Sequence, residues 1–139
     1  LQGKSLLDMG CGTSILAILA RMRGASPCTA IDIDEWCVRN SLENIALNGV
    51  DNIAVSQGDA SSLKSKGPFD MVIANINRNI LLAQLPAYAA ALDAGGWLLM
   101  SGILEADVAP LSEAARAAGF SVTGHALRDG WARVDAVKN

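Results

Sequence analysis

Short apolar runs closed by glycine or asparagine alternate with segments whose apolar positions recur every three to four residues. This is the pattern of buried strands interleaved with amphipathic helices. It predicts strands over residues 4–9, 28–33, 52–56, 69–74 and 97–101, and helices over 14–22, 35–47 and 108–118. Such alternation argues for an α/β fold with a parallel sheet. The first helix is apolar around its circumference and is expected to be covered on most sides. In the second, Val38, Leu42 and Ile45 share one face, Asp34 can cap the start, and Asn48 and Gly49 close the end. After the fourth strand Leu81, Leu85, Tyr88 and Leu92 recur at helical spacing, where Pro86 is expected to kink or divide the helix. Residues 120–127 and 131–137 flank Asp129-Gly130, the pair that a tight hairpin favours, so the sheet is expected to end antiparallel.

Composition narrows the class. With 139 residues, 51% of them hydrophobic and 18% charged, the chain is expected to form one domain with a buried core, and disorder is excluded. No apolar run approaches the ~18 residues of a membrane-spanning helix, so no membrane partner is expected. The net charge is −3 and the basic residues are scattered, which disfavours direct nucleic-acid binding. Cys11, Cys28 and Cys37 are odd in number and lack metal-ligand spacing, so they read as reduced thiols of a cytoplasmic protein, and no metal site is expected. The chain opens on Leu1 and enters a strand almost at once, which reads as a piece of a longer chain.

The chemistry-bearing residues lie at strand ends. Leu6 to Ser14 reads LLDMGCGTS, an apolar strand ending in Asp-x-Gly-x-Gly and running straight into a helix. Glycines at a strand's carboxyl end let backbone amides approach a polar or anionic ligand. A dinucleotide fingerprint needs a third small residue three positions beyond Gly12, and Ile15 stands there, which weakens the nicotinamide reading. Asp32 ends the second strand about twenty positions beyond the loop, where a carboxylate can accept from both ribose hydroxyls; Asp34 is its local competitor. With that role alone, Asp32 would matter little for stability. Asp59, within Gly58-Asp59-Ala60, can accept from an adenine amino group, or can be a turn residue. Asn75, at the end of the fourth strand, can face a reacting group or cap the next helix. Trp36 can border an adenine pocket, although a partly buried packing role suits it as well. His125, the single histidine, has no nucleophile partner and reads as structural.

In this order, and over nearly the whole chain, these motifs resemble the class I S-adenosylmethionine-dependent methyltransferases. GCGTS followed by ILAI, Ala74-Asn75-Ile76 and SGILE look most like the enzymes that methylate large-subunit ribosomal protein eleven. The resemblance implies a Rossmann-like seven-stranded sheet in the order 3-2-1-4-5-7-6 with the last strand antiparallel. It implies that residues 1–139 are the S-adenosylmethionine-binding domain, without the amino-terminal domain that recognises the ribosomal protein. Carried over by position, Asp8, Gly10, Cys11 and Gly12 shape the loop for the methionine part of the cofactor, and Asp32 holds the ribose. Ile33 lies on the adenine, Asp59 and Ala60 meet its edge, and Asn75 with the Ile76 backbone faces the reacting methyl group. The implied reaction is methyl transfer to lysine side chains or the terminal amine of the ribosomal protein. Two positions depart from the family pattern: Ser14 replaces a third loop glycine, and Asn77-Arg78-Asn79 replaces an aliphatic, glycine-containing stretch. A methyltransferase with another protein or a small molecule as substrate, and a scaffold that has lost its cofactor, are the alternatives.

Overall fold

The computed structural model describes the backbone of residues 1–139 and the side chains of all but residues 64 and 65. In chain order the elements are β1 (Leu6–Met9), α1 (Ile15–Met22), β2 (Cys28–Asp32), α2 (Glu35–Leu47), β3 (Ile53–Gln57), a short 3-10 segment (Ala60–Ser65), β4 (Phe69–Asn75), α3 (Arg78–Ala91), β5 (Leu92–Leu104), a 3-10 turn (Glu105–Asp107), α4 (Val108–Ala117), β6 (Phe120–Arg128) and β7 (Trp131–Lys138). The seven strands form one sheet in the order β3-β2-β1-β4-β5-β7-β6. The pairs from β3 through β5 are parallel, and β7 runs antiparallel to both β5 and β6. The reversal is made at Asp129 (φ 53) and Gly130 (φ 83), both in the left-handed region that a two-residue hairpin turn requires. The predicted order and the antiparallel ending are therefore observed.

One face of the sheet carries the main core. Leu98 and Met100 of β5 and Val134 of β7 meet Leu81, Leu85 and Tyr88 of α3 and Leu111 of α4. On the other face α1 covers β1 and β2 through Leu6, Ala17, Ala20, Cys28 and Ala30. Helix α2 lies beside α1 against β2 and β3, and at the other end of the sheet Trp97 and Trp131, on β5 and β7, are 44% and 58% exposed.

Four expectations are corrected. Helix α1 is covered on one side only, since Ile15, Leu19 and Met22 are exposed while Ala17 and Ala20 meet the sheet. Its small residues permit close approach, and of its large ones Ile18 is buried with them while the others named face outward. Helix α2 does not bury Leu42, and its buried residue is Ser41. Trp36 is no packing residue either: it is exposed, with the Arg39 guanidinium 5.7 Å from its ring centroid. Pro86 does not divide α3, which runs unbroken from Arg78 to Ala91, and Leu92 begins β5 instead of ending the helix. Leu81, Leu85 and Tyr88 are buried on the sheet, and this packing outweighs a proline cost of about 3 kcal/mol.

The two-sided packing makes a measurable contrast. Leu98→Ala, at a fully buried site, is expected to cost about 2–5 kcal/mol in chemical denaturation. Leu47→Ala, at a site 82% exposed, is expected to change stability by less than about 0.5 kcal/mol. Equal losses would contradict this assignment of the core.

Candidate functional site

The turn from β1 into α1 puts Gly10 (φ 70), Gly12 (φ 56) and Ser14 (φ 63) in the left-handed region. Glycine enters that region freely and serine does so under strain. The loop is tied to the end of β2 by the Gly10 and Cys11 N–H groups, which donate to the Ile31 carbonyl at 2.8 and 3.0 Å. The Asp32 carboxylate then accepts from Gly12 N at 2.9 Å through Oδ2 and from Asp34 N at 2.9 Å through Oδ1. Asp32 therefore braces the loop as well as facing the cleft, and replacing it by alanine would cost stability, contrary to expectation. Asp34 is engaged elsewhere, its own carboxylate capping α2 at Trp36 N.

Beneath the loop Asp8 is buried, and its Oδ2 accepts from Ala17 N at 3.2 Å. It thus serves the start of α1, where Ser14 makes no side-chain cap. Burial pushes the Asp8 carboxyl up to about 6, against the pull of the Ala17 hydrogen bond and with a further push from the Asp32 charge. The Ser14 hydroxyl donates instead to Ser41 at 2.7 Å, and Ser41 donates to the Gly12 carbonyl at 2.9 Å. Cys11 is buried beside them, its Sγ 3.7 Å from Ser41 Oγ, and burial raises its thiol pKa.

Above the loop a cleft of about 340 Å³ opens between the carboxyl ends of β1, β2 and β4. Gly10, Asp32, Ile33, Asp59, Asn75 and Ile76, all singled out from sequence, line it together. Asp8, Cys11, Gly12 and Ala60 do not: Asp8 and Cys11 lie beneath the loop, Gly12 turns its N–H to Asp32, and Ala60 packs on the main core. Ile33 is exposed at the lip. Asp59 accepts from the Ser61 N–H and hydroxyl, which holds its carboxyl below the usual range. A side chain at Gly10 would reach Ile76 at 3.4 Å, so the bare glycine sets the width of the cleft there.

Asn75 also lines a second, larger cavity of about 660 Å³, with Ser101, Gly102, Leu127, Arg128, Trp131 and Arg133. Its side chain does not cap α3; that role belongs to Asn77, whose Oδ1 accepts from Ile80 N at 3.0 Å. A Cβ on Gly102 would come within 2.6 Å of Asn75 Oδ1 and 3.2 Å of the Ile76 carbonyl. Only glycine at 102 leaves these acceptors where they are.

Gly58, of the Gly58-Asp59-Ala60 motif, also lines the cleft, and sequence reasoning gave no role to Met9, Ile80 and Gln84 of its wall. Ile80 and Gln84 each precede a core position of α3, Leu81 and Leu85, so an i, i+4 stripe beside the core stripe was the available signal. Gln84 is oriented by the Tyr88 hydroxyl, which donates to its Oε1. Nothing in the patterning marked Ser41, a polar residue at a helix's buried position.

Comparison with known proteins agrees with this geometry. A family model described as Ribosomal protein L11 methyltransferase (PrmA) matches residues 1–139. A Ribosomal protein L11 methyltransferase of Bacteroides fragilis is 64% identical over 137 residues, covering 99% of this chain and 49% of that protein. One from Bacteroides thetaiotaomicron is 63% identical over 134 residues, covering 96% and 48%. The chain thus spans about half the length of these curated relatives. The crystal structure of a ribosomal protein L11 methylase from Lactobacillus delbrueckii subsp. bulgaricus superposes with a TM-score of 0.92 at 28% identity, covering 100% of this chain and 72% of that one.

Asp8 gives the site a pH signature. Its folded-state pKa lies above the unfolded value of 3.8, so the folded chain binds the proton more tightly. The stabilisation is fully present below pH ~4 and is lost as pH rises to about 6, an effect of up to roughly 3 kcal/mol. Chemical denaturation of wild type and Asp8→Asn across this window is expected to show wild type losing stability relative to the variant. A difference that does not change with pH would contradict the assignment.

Proposed function

The chain belongs to the Ribosomal protein L11 methyltransferase family, and we propose that residues 1–139 are its S-adenosylmethionine-binding domain, with amino groups of ribosomal protein L11, lysine side chains or the terminal amine, as acceptors. The observation that carries the reading is the position of Asn75, one side chain shared by two adjoining cavities. A narrow cleft with carboxylates at its edges suits a nucleoside, and the wider cavity beyond Asn75 suits an acceptor. When bound, S-adenosylmethionine supplies an electrophilic methyl group on a sulfonium.

The residues present fit this cofactor. Each Asp32 oxygen accepts one backbone N–H, which leaves lone pairs free for the two hydroxyls of a ribose. Ile33 offers an apolar surface for the adenine, and the Asp59 carboxylate stands for its polar edge, while Ala60, expected there too, packs on the main core. Gly10 gives the methionine part a backbone without a side chain, and Gly12, Asp8 and Cys11 shape the loop behind it. On the acceptor side, Asn75 Oδ1 and the Ile76 carbonyl accept hydrogen bonds from the amine and aim its lone pair. Deprotonating a lysine at neutral pH costs roughly 4.6 kcal/mol from its reference pKa, and a desolvated cavity lowers that cost. The proposed partner is a ribosomal protein met in the cytoplasm, without direct contact to nucleic acid or membrane. Among the described residues no helix is long and apolar enough to cross a membrane.

Two substitutions in the full-length protein test the reading. Asp32→Asn keeps an acceptor but loses the charge, and is expected to weaken calorimetric binding of S-adenosylhomocysteine by roughly 10- to 150-fold, the equivalent of about 1.5–3 kcal/mol. Unchanged affinity would remove Asp32 from the ribose role. Gly102→Ala pushes on Asn75 and Ile76 from the acceptor side, and is expected to lower kcat at least tenfold while changing that affinity less than threefold. Equal losses in both would place Asn75 on the cofactor side alone.

A further inference from the structure

We propose that Ser41, a residue of α2 outside the cleft, is a positioning residue that sets the glycine loop for the cofactor through the Gly12 carbonyl; this rests on reading the cleft as a cofactor site. Ser41 is fully buried and is the one buried residue of α2. An amphipathic helix ordinarily puts an aliphatic side chain at such a position, yet here Leu42 beside it is exposed.

The hydrogen-bond chain has only one possible direction. A carbonyl can only accept, so the Ser41 hydroxyl must donate to Gly12 O (2.9 Å), and the Ser14 hydroxyl must donate to Ser41 (2.7 Å). Gly12 is then held on both sides, its N–H by Asp32 Oδ2 at 2.9 Å and its C=O by Ser41. Packing does not hold it, since a Cβ on Gly12 would meet nothing within 4 Å. Two hydrogen bonds thus fix the two peptide planes that flank the Gly12 Cα. Helix α2 supplies both supports: Ser41 reaches the carbonyl, and Asp34 N, at the helix cap, holds the carboxylate that takes the N–H. The loop and the Asp32 carboxylate are in this way registered against one helix. Ser14 supports Ser41 at the expense of a left-handed serine, φ 63, where glycine would be unstrained but would leave Ser41 without its donor.

A merely structural Ser41 would only satisfy the buried Ser14 hydroxyl, and the double variant separates the two roles. The test is made on the full-length protein, reading S-adenosylhomocysteine affinity by calorimetry and Tm by scanning. Ser41→Ala is expected to lower Tm and to weaken binding about fivefold, the worth of one hydrogen bond. Ser14→Gly with Ser41→Ala leaves no buried hydroxyl unpaired and is expected to recover most of the Tm. Its binding is expected to stay about fivefold weaker than that of Ser14→Gly alone, which keeps the Ser41 donation to Gly12. Equal affinities of the double variant and Ser14→Gly would overturn the positioning role, leaving Ser41 structural. Absence of binding by the wild-type protein would overturn the cofactor reading itself, and the positioning role with it.

Discussion

Three left-handed residues within five positions, Gly10, Gly12 and Ser14, carry the chain from the end of β1 into α1, and the site depends on that turn being held. The turn is open at Gly12, where a Cβ would meet nothing within 4 Å. It is held from below and from the side by hydrogen bonds: the Ile31 carbonyl on Gly10 and Cys11, Asp32 on Gly12, Asp8 on the first turn of α1, and Ser41 on the Gly12 carbonyl. The partners come from β1, the end of β2 and α2, so the parallel arrangement of β1 and β2 is what brings them to one place. Burying the Asp8 carboxylate carries a desolvation cost, seen in its raised pKa, which the main core on the other side of the sheet can offset. Strain and desolvation gathered at a ligand loop are common where a fixed backbone shape is needed for binding.

The same economy governs the end of β4. Gly102 is bare where Asn75 and Ile76 turn off the end of β4, and Asn77 takes over the cap of α3. The amide of Asn75 is therefore released from a helix-capping role and stands between two cavities. No side-chain nucleophile is needed for displacement at a sulfonium, which accords with an inventory where the single histidine, His125, is exposed on β6. Orientation is what the residues around Asn75 have to offer.

Most of the fold was legible because its signals are local. Alternation of strand and helix gave the layers, Asp129-Gly130 gave the hairpin, and the family resemblance gave the strand order that patterning alone does not. What failed were judgements about which side of a helix is covered. Ile15, Leu19 and Leu42 are apolar yet exposed, because α1 approaches the sheet through Ala17 and Ala20 and α2 approaches the glycine loop through Ser41, whose small size permits close contact. The persistence of α3 through Pro86 is a tertiary effect, decided by Leu81, Leu85 and Tyr88 on the sheet. Within the site, residues at strand ends were recognisable from their motifs. Gln84 and Ser41 were not, because their roles come from helices arriving from elsewhere in the chain.

The most direct test of the central claim, that this cleft holds the cofactor with Asn75 between it and the acceptor, is a crystal structure of the full-length protein with S-adenosylhomocysteine. The account predicts both ribose hydroxyls within hydrogen-bond distance of the Asp32 carboxylate, the adenine against Ile33, and the sulfur turned toward Asn75. A nucleoside seated in the larger cavity by Trp131, or one that leaves Asp32 untouched, would contradict it.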